Sequence, residues 1–135
     1  MPRMSTGLGR ARAMQALAEV GLPSDGLVRA DSVTNEVWLT EEYVVRVNRD
    51  ASHRLQREAV LSQVLPDEVG YPPLVQYGGE VGGDWLIAQR VPGKPLSRWW
   101  PSMEVDERRE AVRQLAARLR SVHETPCPNL GGPVE

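Results

Sequence analysis

Two stretches decide the reading of this chain: Tyr43-Val44-Val45-Arg46-Val47, and farther on Leu55-Gln56-Arg57-Glu58-Ala59-Val60-Leu61-Ser62. The first is a β-branched run with an arginine inside it. Strand alternation puts Tyr43, Val45 and Val47 on one face and Val44, Arg46 and Asn48 on the other. The second belongs to a helix expected from about Ser52 to Leu65, with Asp50 or Ser52 available as N-cap and Pro66 as its stop. At about 100° per residue, Glu58 falls among Leu55, Leu61, Ser62 and Leu65, in the middle of the leucine face. An ionised carboxylate there is costly unless a cation meets it, and Arg46 arriving from the sheet would relieve the cost. The plainer alternative is a strand arginine reaching solvent and a glutamate at the edge of its stripe. Structural ion pairs are common, so these two residues alone do not decide between them.

The surrounding segments add an order of elements. Residues 8 to 20 place Ala13, Met14, Leu17 and Val20 on one face of an amphipathic helix, closed by Gly21 and Pro23. Leu27-Val28-Arg29-Ala30, Glu36-Val37-Trp38-Leu39 and Tyr43 to Val47 then read as an antiparallel meander, separated by Asp31 to Asn35 and by Thr40-Glu41-Glu42. After the Glu58 helix, strands are expected at Leu74 to Tyr77 and Trp85 to Val91, joined through Gly78-Gly79-Glu80-Val81-Gly82-Gly83, whose glycines suit a tight reversal. Pro92-Gly93-Lys94-Pro95 breaks the sheet. A last helix is expected from about Val105 to His123, with Val112, Leu115, Ala116, Leu119 and Val122 as its buried stripe and His123 as a core histidine. A Pro/Gly-rich tail runs from Pro126 to Pro133.

Bulk composition narrows the function classes. A chain of 135 residues, 41% hydrophobic and 25% charged, is one ordinary globular domain that can bury a core without staples. No apolar run approaches the roughly 18 residues of a membrane span, and Met1 to Ala13 has no signal-peptide core, so a cytoplasmic location is the expectation. A net charge of −2 gives no footprint for nucleic acid or an anionic membrane. The single cysteine, Cys127, excludes an internal disulfide and reads as a spare surface thiol. Neither His53 nor His123 lies among cysteines or carboxylates at metal-ligand spacing, so no metal residue is assigned.

The ordered set Ser32-Val33-Thr34-Asn35-Glu36-Val37-Trp38, Tyr43-Val44-Val45-Arg46-Val47, Arg57-Glu58 and Trp85-Leu86-Ile87-Ala88-Gln89-Arg90-Val91-Pro92-Gly93-Lys94-Pro95-Leu96 resembles the N-terminal half of the aminoglycoside phosphotransferase family, which includes macrolide kinases and has the protein-kinase fold. The likeness covers roughly residues 27 to 125. It implies an α+β, protein-kinase-like N-terminal lobe: a five-stranded antiparallel sheet with one helix between strands three and four, a leading helix before it and helices after it. The lobe would occupy residues 1–91, with the leading helix in 1–26. Residues 92–135 would be hinge exit, helical segment and tail, the start of a truncated or absent C-terminal lobe.

The resemblance also implies roles. Ser32, Val33, Thr34 and Asn35 would cover the ATP phosphates, although the glycines of protein kinases are missing there and a polar hairpin turn is the plainer reading. Arg46 stands where many relatives carry a phosphate-contacting lysine, and a guanidinium forks across two oxygens where an ammonium is a point charge. Glu58 would orient it, so losing either should weaken ATP positioning more than folding. Main-chain atoms of Gln89 and Val91 would meet the adenine edge. Trp99-Trp100 is expected to pack inside or cover an edge, and Arg108-Arg109 and Arg118-Arg120 to lie on a solvated face.

The complete enzyme would use ATP or GTP with Mg2+ to phosphorylate a small-molecule hydroxyl. Past the hinge the only aspartate is Asp106, at a helix start, and no His-Gly-Asp sequence follows His123, so no catalytic residue is assigned and this chain alone is expected to be inactive. Fragment, split enzyme and free-standing lobe all remain open. The rival class is a non-catalytic interaction module, with the apolar face that the missing lobe would cover serving a partner or a self-contact.

Overall fold

The computed structural model describes residues 6–31 and 36–128. The element order is α1 (Thr6–Val20), β1 (Val28–Ala30), β2 (Glu36–Leu39), β3 (Tyr43–Val47), α2 (Arg54–Val64), a 3-10 turn Asp67–Val69, β4 (Leu74–Gly78), β5 (Trp85–Gln89), α3 (Leu96–Trp99), a second 3-10 turn Trp100–Ser102, and α4 (Val105–Glu124). The five strands form one sheet in the order β1-β2-β3-β5-β4. Every pairing is antiparallel. This is the α+β kinase-like lobe that the sequence implies.

The sheet has two covered faces, and alternation assigns the residues. Trp38, Val45, Val47, Trp85 and Ile87 meet Ala13, Ala16 and Leu17 of α1, together with Leu27. On the other face Leu86 and Ala88 meet Leu55 and Ala59 of α2, with Leu74 and Tyr77 packed alongside. β5 is therefore apolar on both sides, which is why Trp85-Leu86-Ile87-Ala88 reads as an unbroken run rather than an alternation. Each large aliphatic side chain buried here contributes about 1.5–3 kcal/mol.

A β-bulge shifts the β4–β5 register between Leu74 and Gln76. The extra residue lets Leu74 and Tyr77, an odd number of positions apart, face α2 together while Val75 packs toward the α1 cluster. The β4–β5 turn needs Gly79 and Gly82 at φ 83° and 97°, a region that residues with a Cβ avoid.

Several expectations are corrected. β5 ends at Gln89, so Arg90 and Val91 lie beyond the sheet. α2 begins at Arg54 with His53 as its N-cap and no side-chain cap; the Asp50 carboxylate accepts the Ser52 N–H instead. The apolar stripe of α4 is not buried among the described residues: Val112, Leu115, Leu119 and Val122 are 55%, 52%, 48% and 37% exposed. Ala116 and His123 are exposed too, so His123 is not a core histidine. The helix is amphipathic as its sequence predicts, but its main contact with the lobe is the Asp67–Val69 turn rather than a core.

The arginines of α4 also divide. Arg108 reaches back to the Trp100 carbonyl at 2.7 and 3.0 Å and stacks over the Trp100 ring at 5.2 Å. Arg118 donates to the Val69 carbonyl at 3.1 Å, while Arg109 and Arg120 are exposed. Trp99, half-exposed, lies under the Lys94 ammonium.

Candidate functional site

β3 and α2 bring Arg46 and Glu58 together as alternation and helical phase predict. Arg46 Nη1 donates to Glu58 Oε1 at 2.5 Å. The two side chains are 26% and 27% exposed, so the pair is shielded from bulk water on most sides yet open on one. A partly buried charge-assisted hydrogen bond of this kind is about twice as strong as a neutral one.

The pair stands at one end of a cleft of about 390 Å³ on the α2 face of the sheet. Leu39, Val44, Leu86 and Ala88 supply apolar walls, and Gln89, Arg90 and Val91 line its edge. The register explains the grouping: Val44 lies opposite both Leu39 and Ala88, and Arg46 opposite Leu86, so side chains of one pleat face converge there. The arrangement offers a flat apolar slot, an exposed stretch of main chain at its rim and a fixed cation at its far end. It suits a molecule with a planar apolar part and an anionic part.

The rim is held in place by its own hydrogen bonds. The Gln89 N–H donates to the Pro73 carbonyl at 2.9 Å and the Arg90 N–H to the Glu42 carbonyl at 2.8 Å. The Arg90 guanidinium donates to the Thr40 carbonyl at 2.9 Å, tying the rim to the β2–β3 turn. Of the predicted adenine-contacting atoms, the Gln89 amide is thus already engaged, while its carbonyl and the Val91 main chain remain candidates. Ser32, Val33, Thr34 and Asn35 lie outside the described residues.

Sequence reasoning missed Tyr71. Its hydroxyl donates to Glu58 Oε1 at 2.7 Å, the same oxygen that Arg46 uses, and its ring lines the cleft. Burial, and next the hydrogen bond to Glu58, push the Tyr71 phenol well above the ordinary tyrosine range, with Arg46 pulling weakly the other way. No periodicity points to this residue. The available signal is an aromatic hydroxyl fixed between Gly70 and the Pro72-Pro73 pair.

Also missed was a buried polar node near the Arg46–Glu58 pair. Asp84 is fully buried; its Oδ1 accepts from Asn48 Nδ2 at 2.9 Å and its Oδ2 from the Tyr77 hydroxyl at 2.7 Å. Asn48 Nδ2 also donates to the Ser52 carbonyl at 2.8 Å. Asn48 follows the strand that carries Arg46 and Ser52 precedes the helix that carries Glu58, so the node fixes the connection between the two halves of the ion pair.

Among the described residues no group of three or more His, Cys, Asp or Glu side chains could hold a metal ion, and no helix is long and apolar enough to cross a membrane.

The sequence profile of the phosphotransferase enzyme family matches residues 27–135. The chain is also similar to an aminoglycoside 3'-phosphotransferase of Streptomyces ribosidificus, 35% identical over 63 residues. That alignment takes in 44% of this chain and 23% of the relative, so the chain spans a minor part of the curated protein it matches.

Proposed function

Since the chain belongs to the phosphotransferase enzyme family, we propose that it is the nucleotide-binding lobe of a kinase that transfers the γ-phosphate of ATP or GTP to a hydroxyl of a small molecule, of aminoglycoside or macrolide type. The observation that carries this reading is the junction of the apolar cleft with the Arg46–Glu58 pair. Leu39, Val44, Leu86 and Ala88 would sandwich the base, and the Gln89 carbonyl and Val91 main chain would meet its edge. Arg46 would fork across phosphate oxygens while Glu58 keeps the guanidinium aimed at them. Ser32, Val33, Thr34 and Asn35 would close over the phosphates.

The residues present suit a nucleotide: an apolar cleft of about 390 Å³ whose lining includes the Gln89–Val91 backbone and the Arg46 cation. Mg2+ bound with the nucleotide would neutralise charge on the transferring phosphoryl group. Its ligands and the residue that orients the acceptor hydroxyl are not assigned to this chain. Binding and aiming the nucleotide is the part of the reaction that this reading assigns to these residues.

Calorimetric titration with magnesium-ATP tests the reading. Saturable binding is expected, weakened at least about tenfold by Arg46→Ala through loss of a charge-assisted contact worth roughly 1.5–3 kcal/mol. Absence of binding refutes it. The exposed stripe Val112, Leu115, Leu119 and Val122 favours a second reading, an interaction module using α4 for a partner or self-contact. A stable dimer together with no nucleotide binding would select that reading.

A further inference from the structure

We propose that Tyr71 is a positioning residue of the clamp: its hydroxyl anchors Glu58 so that Arg46 can turn toward a phosphate without losing the carboxylate that aims it. The inference rests on the nucleotide reading above and deepens it.

Two donors converge on one atom. Arg46 Nη1 and the Tyr71 hydroxyl lie 2.5 and 2.7 Å from Glu58 Oε1. Glu58 is a flexible side chain on a partly exposed helix face, and a single bond to a mobile guanidinium would leave it free to rotate whenever that guanidinium shifts. Tyr71 supplies a second anchor that does not depend on the ligand.

The anchor is itself rigid. Gly70, in the left-handed region, ends the Asp67–Val69 turn immediately before Tyr71, and Pro72 and Pro73 follow with restricted backbones. On one side the Pro73 carbonyl accepts the Gln89 N–H, joining this segment to the rim of the cleft. On the other, Arg118 of α4 holds the Val69 carbonyl and lies against Gly70. Tyr71 is therefore a strut set between the rim of the cleft and α4, with its hydroxyl at the Arg46–Glu58 pair. The raised ionisation range of the phenol keeps its hydrogen in place as a donor at neutral and mildly alkaline pH.

The test is titration of the 135-residue chain and its Tyr71→Phe variant with two probes, magnesium-ATP and adenosine. Phenylalanine keeps the ring and removes only the donor. Adenosine lacks the phosphates that Arg46 would contact, so it reports on the pocket without the clamp. We expect Tyr71→Phe to weaken magnesium-ATP about tenfold, the scale of one hydrogen bond to a charged group, and adenosine less than about twofold. Equal losses for both probes would make Tyr71 a pocket-packing residue and overturn the inference. So would unchanged magnesium-ATP affinity in a variant whose parent binds it. If the parent chain binds neither probe, the nucleotide reading itself fails and takes this one with it.

Discussion

Truncation of Asp84 probes the node near the Arg46–Glu58 pair. Asp84→Ala deletes the acceptors of Asn48 Nδ2 and the Tyr77 hydroxyl in a fully buried setting. Asn48 retains the Ser52 carbonyl, while Tyr77 loses the one acceptor its hydroxyl has among the described residues. Hydrogen bonds to a charged group are worth about 1.5–3 kcal/mol each, so two removed together set a gross loss of roughly 3–6 kcal/mol. Alanine no longer bears the several kcal/mol of burying the carboxylate but leaves the Tyr77 hydroxyl without that acceptor, at about 1–3 kcal/mol, so the expected net loss is about 3 kcal/mol. For a domain whose stability is about 5–15 kcal/mol, that is a large fraction.

Urea denaturation followed by tryptophan fluorescence measures it, since Trp38 and Trp85 are buried in the α1 cluster. With a slope of about 1–3 kcal/mol per molar urea, the midpoint should fall by at least about 1 M. Tyr77→Phe removes a single donor and should cost less than half as much, about 1 kcal/mol. An Asp84→Ala loss under about 1 kcal/mol would show that the β3–α2 connection is fixed by something other than this node.

Other outcomes follow from the same geometry. A methyl group at Gly9 would occupy the space of the Glu36 carboxylate, which is 2% exposed beneath the first turns of α1. Gly9→Ala should therefore force the buried Glu36 carboxylate, paired with Arg29, to swing aside at a cost of about 1–3 kcal/mol, seen as a lower Tm; an unchanged Tm would mean that the carboxylate moves freely under α1. Alkaline stability is the next measurement. Burial first, and then the Glu58 and Asp84 carboxylates, raise the Tyr71 and Tyr77 phenols in the folded chain. The unfolded chain releases those protons near pH 10, so the stability held by the protonated phenols is complete below about pH 10 and is lost as pH climbs through the raised folded values. Urea midpoints should fall above about pH 10, less steeply in Tyr77→Phe, and a rise would contradict the assignment.

The sheet was readable because its information is local. β-branched runs bounded by Gly, Pro and acidic turns mark each strand, and β2 and β3 have the predicted ends. The clamp was readable for a related reason: a charge at the wrong phase of an apolar stripe needs a partner, and the strand order left Arg46 as the candidate. Tyr71 and Asp84 were not readable. They belong to no periodic face, and their partners depend on a bulge in β4 and on the path between α2 and β4, which are tertiary outcomes. The α4 stripe failed differently, since amphipathicity states that a face is apolar and is silent on what covers it.

The two sides of the sheet explain why a cleft exists at all. α1 runs across β2, β3 and β5 and closes one face over Trp38, Val45, Val47 and Ile87. α2 is shorter and packs toward β4 and β5, over Leu86 and Ala88, leaving Leu39 and Val44 on the same pleat face without a helix above them. Polar residues at those two positions would satisfy a solvated surface. Leucine and valine there, beside a rim pinned to Pro73 and Glu42, hold an apolar slot open next to a charged pair, an arrangement that contributes little to folding and makes physical sense when a ligand supplies the missing cover. The prediction for Arg46→Ala separates the two roles: magnesium-ATP affinity should fall at least about tenfold, while the urea midpoint should fall only by the cost of leaving Glu58, still held by the Tyr71 hydroxyl, without its cation.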